Sequence, residues 1–249
     1  MLTRVDGVTL PPGTTLAWYE SIDSTNEEAR RRVQTGERGP LWIVAERQTQ
    51  GRGRQGRGWS TASGNLAATY LFEPGLRPER MALLSFVAAL AVQGLVSEYV
   101  PDVRLKWPND VLVRRRKVAG ILLESLPSSC LAIGIGVNLA AHPQDLPFPA
   151  TSIAAEGGRV PALPQALSRL AQRLDDGLKL FAHEGFPAVR DLWTGFADGV
   201  GETLRVRLPD QILEGIFLGL GDDGALRLGL ADGTERPISA GDVFFPDGA

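Results

Sequence analysis

The chain has 249 residues, enough for one large domain or a medium one with a small companion. A chain of this size buries roughly three quarters of the surface its unfolded form exposes and needs no staples. Hydrophobic residues at 43%, charged residues at 22% and a net charge of -3 are ordinary for a globular protein, with no field to gather nucleic acid or an anionic membrane. One cysteine excludes an intramolecular disulfide framework, and two histidines leave too few ligands for a His/Cys zinc site.

The opening residues carry no secretory apolar core, so the expected compartment is the cytoplasm. Ser24 or Thr25 opens a helix, because each precedes a glutamate (Glu27, Glu28) at capping-box spacing, and Gly36 supplies its left-handed end. The apolar runs 41–46 and 66–72 read as buried strands. Pro78 starts a second helix that reaches about Tyr99 and is apolar almost all round, hence interior. Its apolar stretch from Met81 to Val96 is short for a bilayer and is interrupted by Ser85 and Gln93.

A strand then runs into Lys106-Trp107-Pro108-Asn109-Asp110, whose centre is turn chemistry. Segments 111–113, 117–124 and 131–137 continue a sheet, the first two joined by Arg114-Arg115-Arg116, ordinarily a solvated hairpin tip. Cys130 lies beside the last of these, a small buried thiol. Leu167, Leu170, Ala171, Leu174, Leu178 and Phe181 have helical spacing, with Pro164 near the start. Beyond Trp193, residues 203–245 alternate short strands with glycine turns, the pattern of a small β-barrel, and a boundary is expected near Val200. The larger part mixes strands, helices and hairpins and is expected to be α+β.

The chemistry concentrates in Gln48-Thr49-Gln50-Gly51-Arg52-Gly53-Arg54-Gln55-Gly56-Arg57-Gly58-Trp59. Glycines let backbone N–H groups approach an anion, and arginines add forked donors that match phosphate. Taken alone, the segment reads as a mobile surface loop, a phosphate binder or an RGG-like RNA contact. Its place between two buried strands and the absence of a basic surplus weaken the RNA reading. No Walker string occurs, and Gly134-Ile135-Gly136-Val137-Asn138 lacks the third glycine of a dinucleotide fingerprint. Ser24-Thr25-Asn26 is a good helix start, and such an end also offers N–H groups to a carboxylate or ureido oxygen.

In this order, Ser24-Thr25-Asn26, the Gly/Arg loop between Gln48 and Trp59, Lys106-Trp107-Pro108-Asn109-Asp110, Lys117-Val118-Ala119-Gly120-Ile121-Leu122-Leu123-Glu124 and Gly134-Ile135-Gly136-Val137-Asn138-Leu139 resemble the biotin–protein ligase family, closely over about residues 16–140 and loosely over the terminal part. The resemblance implies an α+β, mixed-sheet catalytic domain (1–199) like those of lipoate ligases and class II aminoacyl-tRNA synthetases. A small SH3-like C-terminal β-barrel (200–249) follows. Only 23 residues precede Ser24, too few for the DNA-binding winged helix of some members, so the ligase-only class without a repressor role is expected.

The resemblance further implies ATP-dependent activation of biotin to its adenylate, with magnesium, and transfer to a lysine of a biotin carboxyl carrier domain. It assigns Ser24, Thr25, Asn26, Gln48, Gly51, Arg52, Gly53, Arg54, Lys117 and Gly134 to biotin. Arg54, Trp59, Lys106, Asn109, Lys117 and Asn138 go to the nucleotide. Gly134 and Gly136 are expected to let the ligand approach, and no metal ligand is assigned. Arg52, Arg54 and Lys117 offset repulsion between a carboxylate and a phosphate, and Asp110 is the candidate base or orienting group for the carrier amine, or only shapes its turn. The enzymatic alternative is a lipoate or octanoate ligase or transferase of the same fold. A homodimer through exposed strand edges is possible, and neither DNA nor membrane is expected as partner.

Overall fold

A computed structural model describes residues 3, 5–144 and 148–245. The first strand, β1 (Thr15–Ile22), crosses through α1 (Thr25–Gln34) to β2 (Leu41–Gln48), and the two strands pair in parallel, as a helical crossover allows. The chain continues through β3 (Leu66–Phe72), α2 (Pro78–Met81), α3 (Leu84–Ser97), β4 (Val103–Lys106), β5 (Asp110–Val113), β6 (Arg116–Ser125) and β7 (Leu131–Val137). These strands form one seven-stranded sheet in the order β1-β2-β3-β7-β6-β5-β4, antiparallel from β2 onward. The long helix α4 (Leu163–Phe196) bends at Gly185, where φ is 76°, and Pro187 follows in the turn beyond. A five-stranded antiparallel sheet holds β8 (Thr203–Arg207), β9 (Ile212–Leu220), β10 (Leu226–Gly229), β11 (Glu235–Ile238) and β12 (Asp242–Phe244), in the order β11-β10-β9-β8-β12.

The two faces of the large sheet are divided by the strand period of two. On β7, Ile133, Ile135 and Val137 join Val87, Val92 and Leu95 of α3 and Leu167, Leu170 and Leu174 of α4 in the main core. The alternate residue Ala132 packs instead with Ala29 and Val33 of α1. Cys130 sits in this second cluster, and burial pushes its thiol pKa up, as expected of an inert buried cysteine. The segment Pro78–Ser97 passes length and composition tests for a membrane span, yet α3 is buried on both sides, the place of a core helix. Its predicted single helix is broken between Met81 and Leu84.

The sheets change over between Phe196 and Thr203, but the core does not, since Leu204, Val206, Phe217 and Leu228 belong to the same buried cluster as α3. The Trp107 indole donates to the Gly224 carbonyl at 3.1 Å, and the Asp198 amide donates to the Leu105 carbonyl at 2.8 Å. The three arginines at this hairpin tip are solvated, as expected, and are engaged as well. Arg116 and Arg114 pair with the buried Glu156 at 2.7 and 3.4 Å, while Arg115 reaches Glu202 at 2.5 Å and stacks over Phe245. The β5–β6 turn thus stays open to solvent while Arg115 reaches the segment that leads into the second sheet.

Trp107→Phe keeps an aromatic ring, though a smaller one, and orphans the buried Gly224 carbonyl. It should cost about 1–3 kcal/mol of unfolding free energy with the urea m-value unchanged; an unaltered urea midpoint would show that the indole contact holds nothing.

Candidate active site

The face of the large sheet turned away from α3 carries the site. Cross-strand register aligns Ala67, Gly136, Gly120, Asp110 and Lys106 in one row over five strands. Thr69, Gly134 and Leu122 form a second row beside it. The centre of the floor therefore has no bulk, and the far end of the first row is charged. A cavity of about 620 Å³ opens above it, closed by the Gly/Arg loop and by Arg207, Asp242 and Val243 of the second sheet.

At one end the cavity meets the start of α1. Thr25 donates its backbone N–H and hydroxyl to Gln48 Oε1 at 2.8 and 3.1 Å, and Gln48 Nε2 donates to Thr61 at 3.1 Å. Asn26 Nδ2 donates to Glu124 at 2.7 Å, while the buried Thr69 hydroxyl lies 2.6 Å from Asn26 Oδ1 and 2.8 Å from Thr25 Oγ1. Ser24 is the N-cap of α1 but makes no side-chain cap bond. The expected capping box is absent because both glutamates are committed elsewhere. Glu27 pairs with Arg30 and Arg52, and Glu28 accepts from Tyr19, Arg31 and Arg32.

The loop is folded over the cavity. Arg52 and Gly58 bridge, the Trp59 amide donates to the Gly51 carbonyl at 2.9 Å, and Arg54–Gly56 form a short helical turn between. Its arginines reach three different walls. Arg52 pairs with Glu27 and lies 3.3 Å from Glu124, Arg54 donates to Asn109 Oδ1 at 3.0 Å, and Arg57 meets Asp242 at 3.1 Å. Burial lowers the pKa of Arg54. Lys117 pairs with Asp110 at 2.6 Å, its ammonium 5.8 Å from the Trp59 ring. Lys106 lies 4.6 Å from the Phe148 ring and 5.9 Å from that of Phe244, and burial lowers its pKa too.

Of the residues named from sequence, Ser24, Thr25, Asn26, Gln48, Arg52, Gly53, Arg54, Trp59, Lys106, Asn109, Asp110, Lys117, Gly134, Gly136 and Asn138 all line this cavity. Gly51 does not; a Cβ there would overlap the Trp59 carbonyl, so its task is to close the loop. The space over Gly134 and Gly136 is taken first by protein. A Cβ would overlap the Asn26 amide at Gly134 and the Trp59 indole at Gly136. These glycines seat the walls of the site, and the expected approach to a ligand is made by the side chains they admit. Thr69, Glu124 and Asp242 were missed. Thr69 had a signal, a small hydroxyl side chain in an otherwise apolar run, which needs a buried partner. Asp242 had none, since only the fold brings β12 to the loop.

Among the described residues no group of three or more metal-ligating side chains is gathered. Two carboxylates line the cavity, Asp110 and Asp242, each held by a cation.

Residues 18–138 match the family described as "Biotin/lipoate A/B protein ligase family", and residues 199–245 match "Biotin protein ligase C terminal domain". A biotin–[acetyl-CoA-carboxylase] ligase of Paracoccus denitrificans is 38% identical over 90% of this chain and 97% of its own. A biotin protein ligase from Aquifex aeolicus, solved with biotin and ATP, superposes with a TM-score of 0.80 at 28% identity, covering 92% of this chain and 97% of that one. One from Leishmania major with biotinyl-5-AMP gives a TM-score of 0.67 at 27% identity, covering 92% and 100%.

The indole seated on Gly136 anchors the C-terminal foot of the loop. Gly136→Ala should displace it and speed proteolytic nicking within Gly51–Gly58 while the rest of the chain stays resistant; nicking at the wild-type rate would detach the loop's order from that glycine.

Proposed function

The chain belongs to the biotin protein ligase family, and from that premise we propose that it activates biotin with ATP as biotinyl-5'-AMP and transfers the biotinyl group to a lysine of a biotin carboxyl carrier domain. The observation that carries this reading is the joining of two chemistries in one cavity, a buried set of amide and hydroxyl groups at one end and a group of cations along the rest.

The polar end, built from Ser24, Thr25, Asn26 and Gln48 with the buried Thr69 hydroxyl supporting them, supplies donors and acceptors that suit a ureido ring. The dithiolane of lipoate has no N–H or carbonyl to exchange into this hydrogen-bonded network, and a site built to hydrogen-bond disfavours an analogue that cannot. This argues for biotin over the lipoate or octanoate alternative. From there the ligand's carboxylate tail runs over Gly136 and Trp59 to Lys117. A carboxylate oxygen attacks the α-phosphate, forming the acyl–phosphate bond as pyrophosphate departs. Both reactants are anions, so Arg52, Arg54 and Lys117 contribute by offsetting their repulsion and the charge that builds up in the transition state. Trp59, Asn109 and Asn138 belong to the nucleotide side in this scheme, with Gly53 allowing the loop backbone to come close. Magnesium fits as the companion of the triphosphate. Asp110 and Asp242 would help hold it there, since this ion takes one or two carboxylates and substrate phosphates rather than a protein cage, and it supplies charge neutralisation.

In the second step the carrier's lysine amine attacks the acyl carbon and AMP leaves. Asp110 orients Lys117 in the free site through their ion pair. Once Lys117 engages the substrate anions, that carboxylate is released to accept a hydrogen bond or proton from the amine. Incubating the purified chain with a carrier fragment, ATP and either biotin or lipoate tests the reading. A biotin- and ATP-dependent mass increment on one lysine is expected, and lipoylation alone would transfer the assignment to the alternative.

Lys117→Ala should slow adenylate formation by about a hundredfold or more, the equivalent of about 2–4 kcal/mol of transition-state stabilisation. Pyrophosphate exchange at the wild-type rate in a folded variant would remove Lys117 from the chemistry. Arg54→Gly removes a forked contact to the adenylate's remaining negative phosphate. The variant should release biotinyl-adenylate and label lysines of added serum albumin; adenylate formation without excess albumin labelling would show that Arg54 does not retain the intermediate.

A further inference from the structure

Two cations on the cavity stand apart from the rest. Among the described residues Lys106 and Arg207 line the cavity without an ion pair or side-chain hydrogen bond, whereas Arg52, Arg57 and Lys117 each rest on a carboxylate. What they have instead is aromatic surface. The Arg207 guanidinium lies 4.5 Å from the Phe244 ring, and Phe148 and Phe244 stand 5.1 Å apart beside the Lys106 ammonium. A stacked guanidinium keeps its in-plane N–H donors free, and apolar neighbours strengthen any charge interaction made beside them. The Lys106 ammonium feels Asp110 and Asp242 only at a distance and makes no ion pair with either, so it is left with charge to offer an anion.

Register gives the anion's identity. Lys106 ends the row that runs from Gly136 through Gly120 and Asp110. Strand spacing puts it about 10 Å beyond Gly120, two strands past the floor under Trp59 and Lys117. On the proposed reading of the function, the α-phosphate reacts near Lys117, so what lies further along the row is the rest of the triphosphate. We propose that Lys106 and Arg207 form a diphosphate clamp, holding the β- and γ-phosphates during attack and then the departing pyrophosphate. The second sheet thereby contributes a nucleotide-binding residue from β8, with Phe244 of β12 as its platform and Arg57–Asp242 joining the clamp to the loop.

The test uses the full chain and the variants Arg207→Glu and Arg207→Lys, with inorganic pyrophosphate as the direct probe. Arg207→Glu should raise KM for ATP, and weaken pyrophosphate binding measured calorimetrically, by about tenfold or more, equal to about 1.4 kcal/mol. KM for biotin and the single-turnover transfer from preformed biotinyl-adenylate, which contains no diphosphate, should stay within about twofold. Arg207→Lys should fall between, because it keeps the charge and loses the fork. Equal pyrophosphate binding by wild type and Arg207→Glu would overturn the clamp, as would an equal slowing of transfer, the mark of a merely structural role. Wild-type protein that binds pyrophosphate through Arg207 yet forms no biotinyl-adenylate would instead overturn the functional reading and leave an anion site standing.

Discussion

The site depends on an absence of side chains at one place. Ala67, Gly136 and Gly120 lie in register across three central strands of the large sheet, and the indole of Trp59 settles into the space. That placement fixes the foot of the Gly/Arg loop, and the ring in turn faces the Lys117 ammonium. A methyl group at Gly136 would meet the indole, so loop, floor and cation are set by one register relation rather than by separate local preferences. The strand period does the rest. While Ile133, Ile135 and Val137 anchor β7 in the core, the residues between them are exempt from core packing and can be small.

The second sheet belongs to the same construction. One buried cluster passes through α3, α4 and β8–β10, and the Trp107–Gly224 contact joins the strand that ends in Lys106 to a turn of the second sheet. Its cavity-facing residues are therefore positioned by a shared core, not by a linker. A wall built this way costs no ordering when an anion arrives, which is the advantage of a preformed site over one assembled on binding.

Much of this was legible in the sequence, for identifiable reasons. The limits of β3 and β7 were readable because each is a short apolar run bounded by turn residues, and α1 because a polar start and Gly36 bracket it. Motif order likewise brought nearly every named site residue to one cavity. What sequence could not give was partnership. Glu27 and Glu28 satisfy capping-box spacing, but arginines on the same helix and on the loop compete for them and win. Arg114-Arg115-Arg116 is solvated as its composition suggests, but its partners Glu156, Asp198 and Glu202 are all distant in sequence. Arg207 and Phe244 lie in a segment whose alternation announces strands and nothing more.

The free site also stores its cations in a form that can be given up. Arg52 rests on Glu27 and Glu124, Arg57 on Asp242 and Lys117 on Asp110, each pair at least partly open to solvent. Such pairs are worth only about 0–1 kcal/mol each, so exchanging a carboxylate partner for a phosphate costs little. They nevertheless hold the guanidinium and ammonium groups close to where an anion would lie, and they keep like charges from facing one another across the cavity. Glycine gives the loop backbone freedom to follow the exchange, while the indole on Gly136 keeps its foot in place. An exchange of this kind at Lys117 would free Asp110, the carboxylate proposed above to accept the carrier amine's proton, so the same ion pair serves both steps of the proposed scheme.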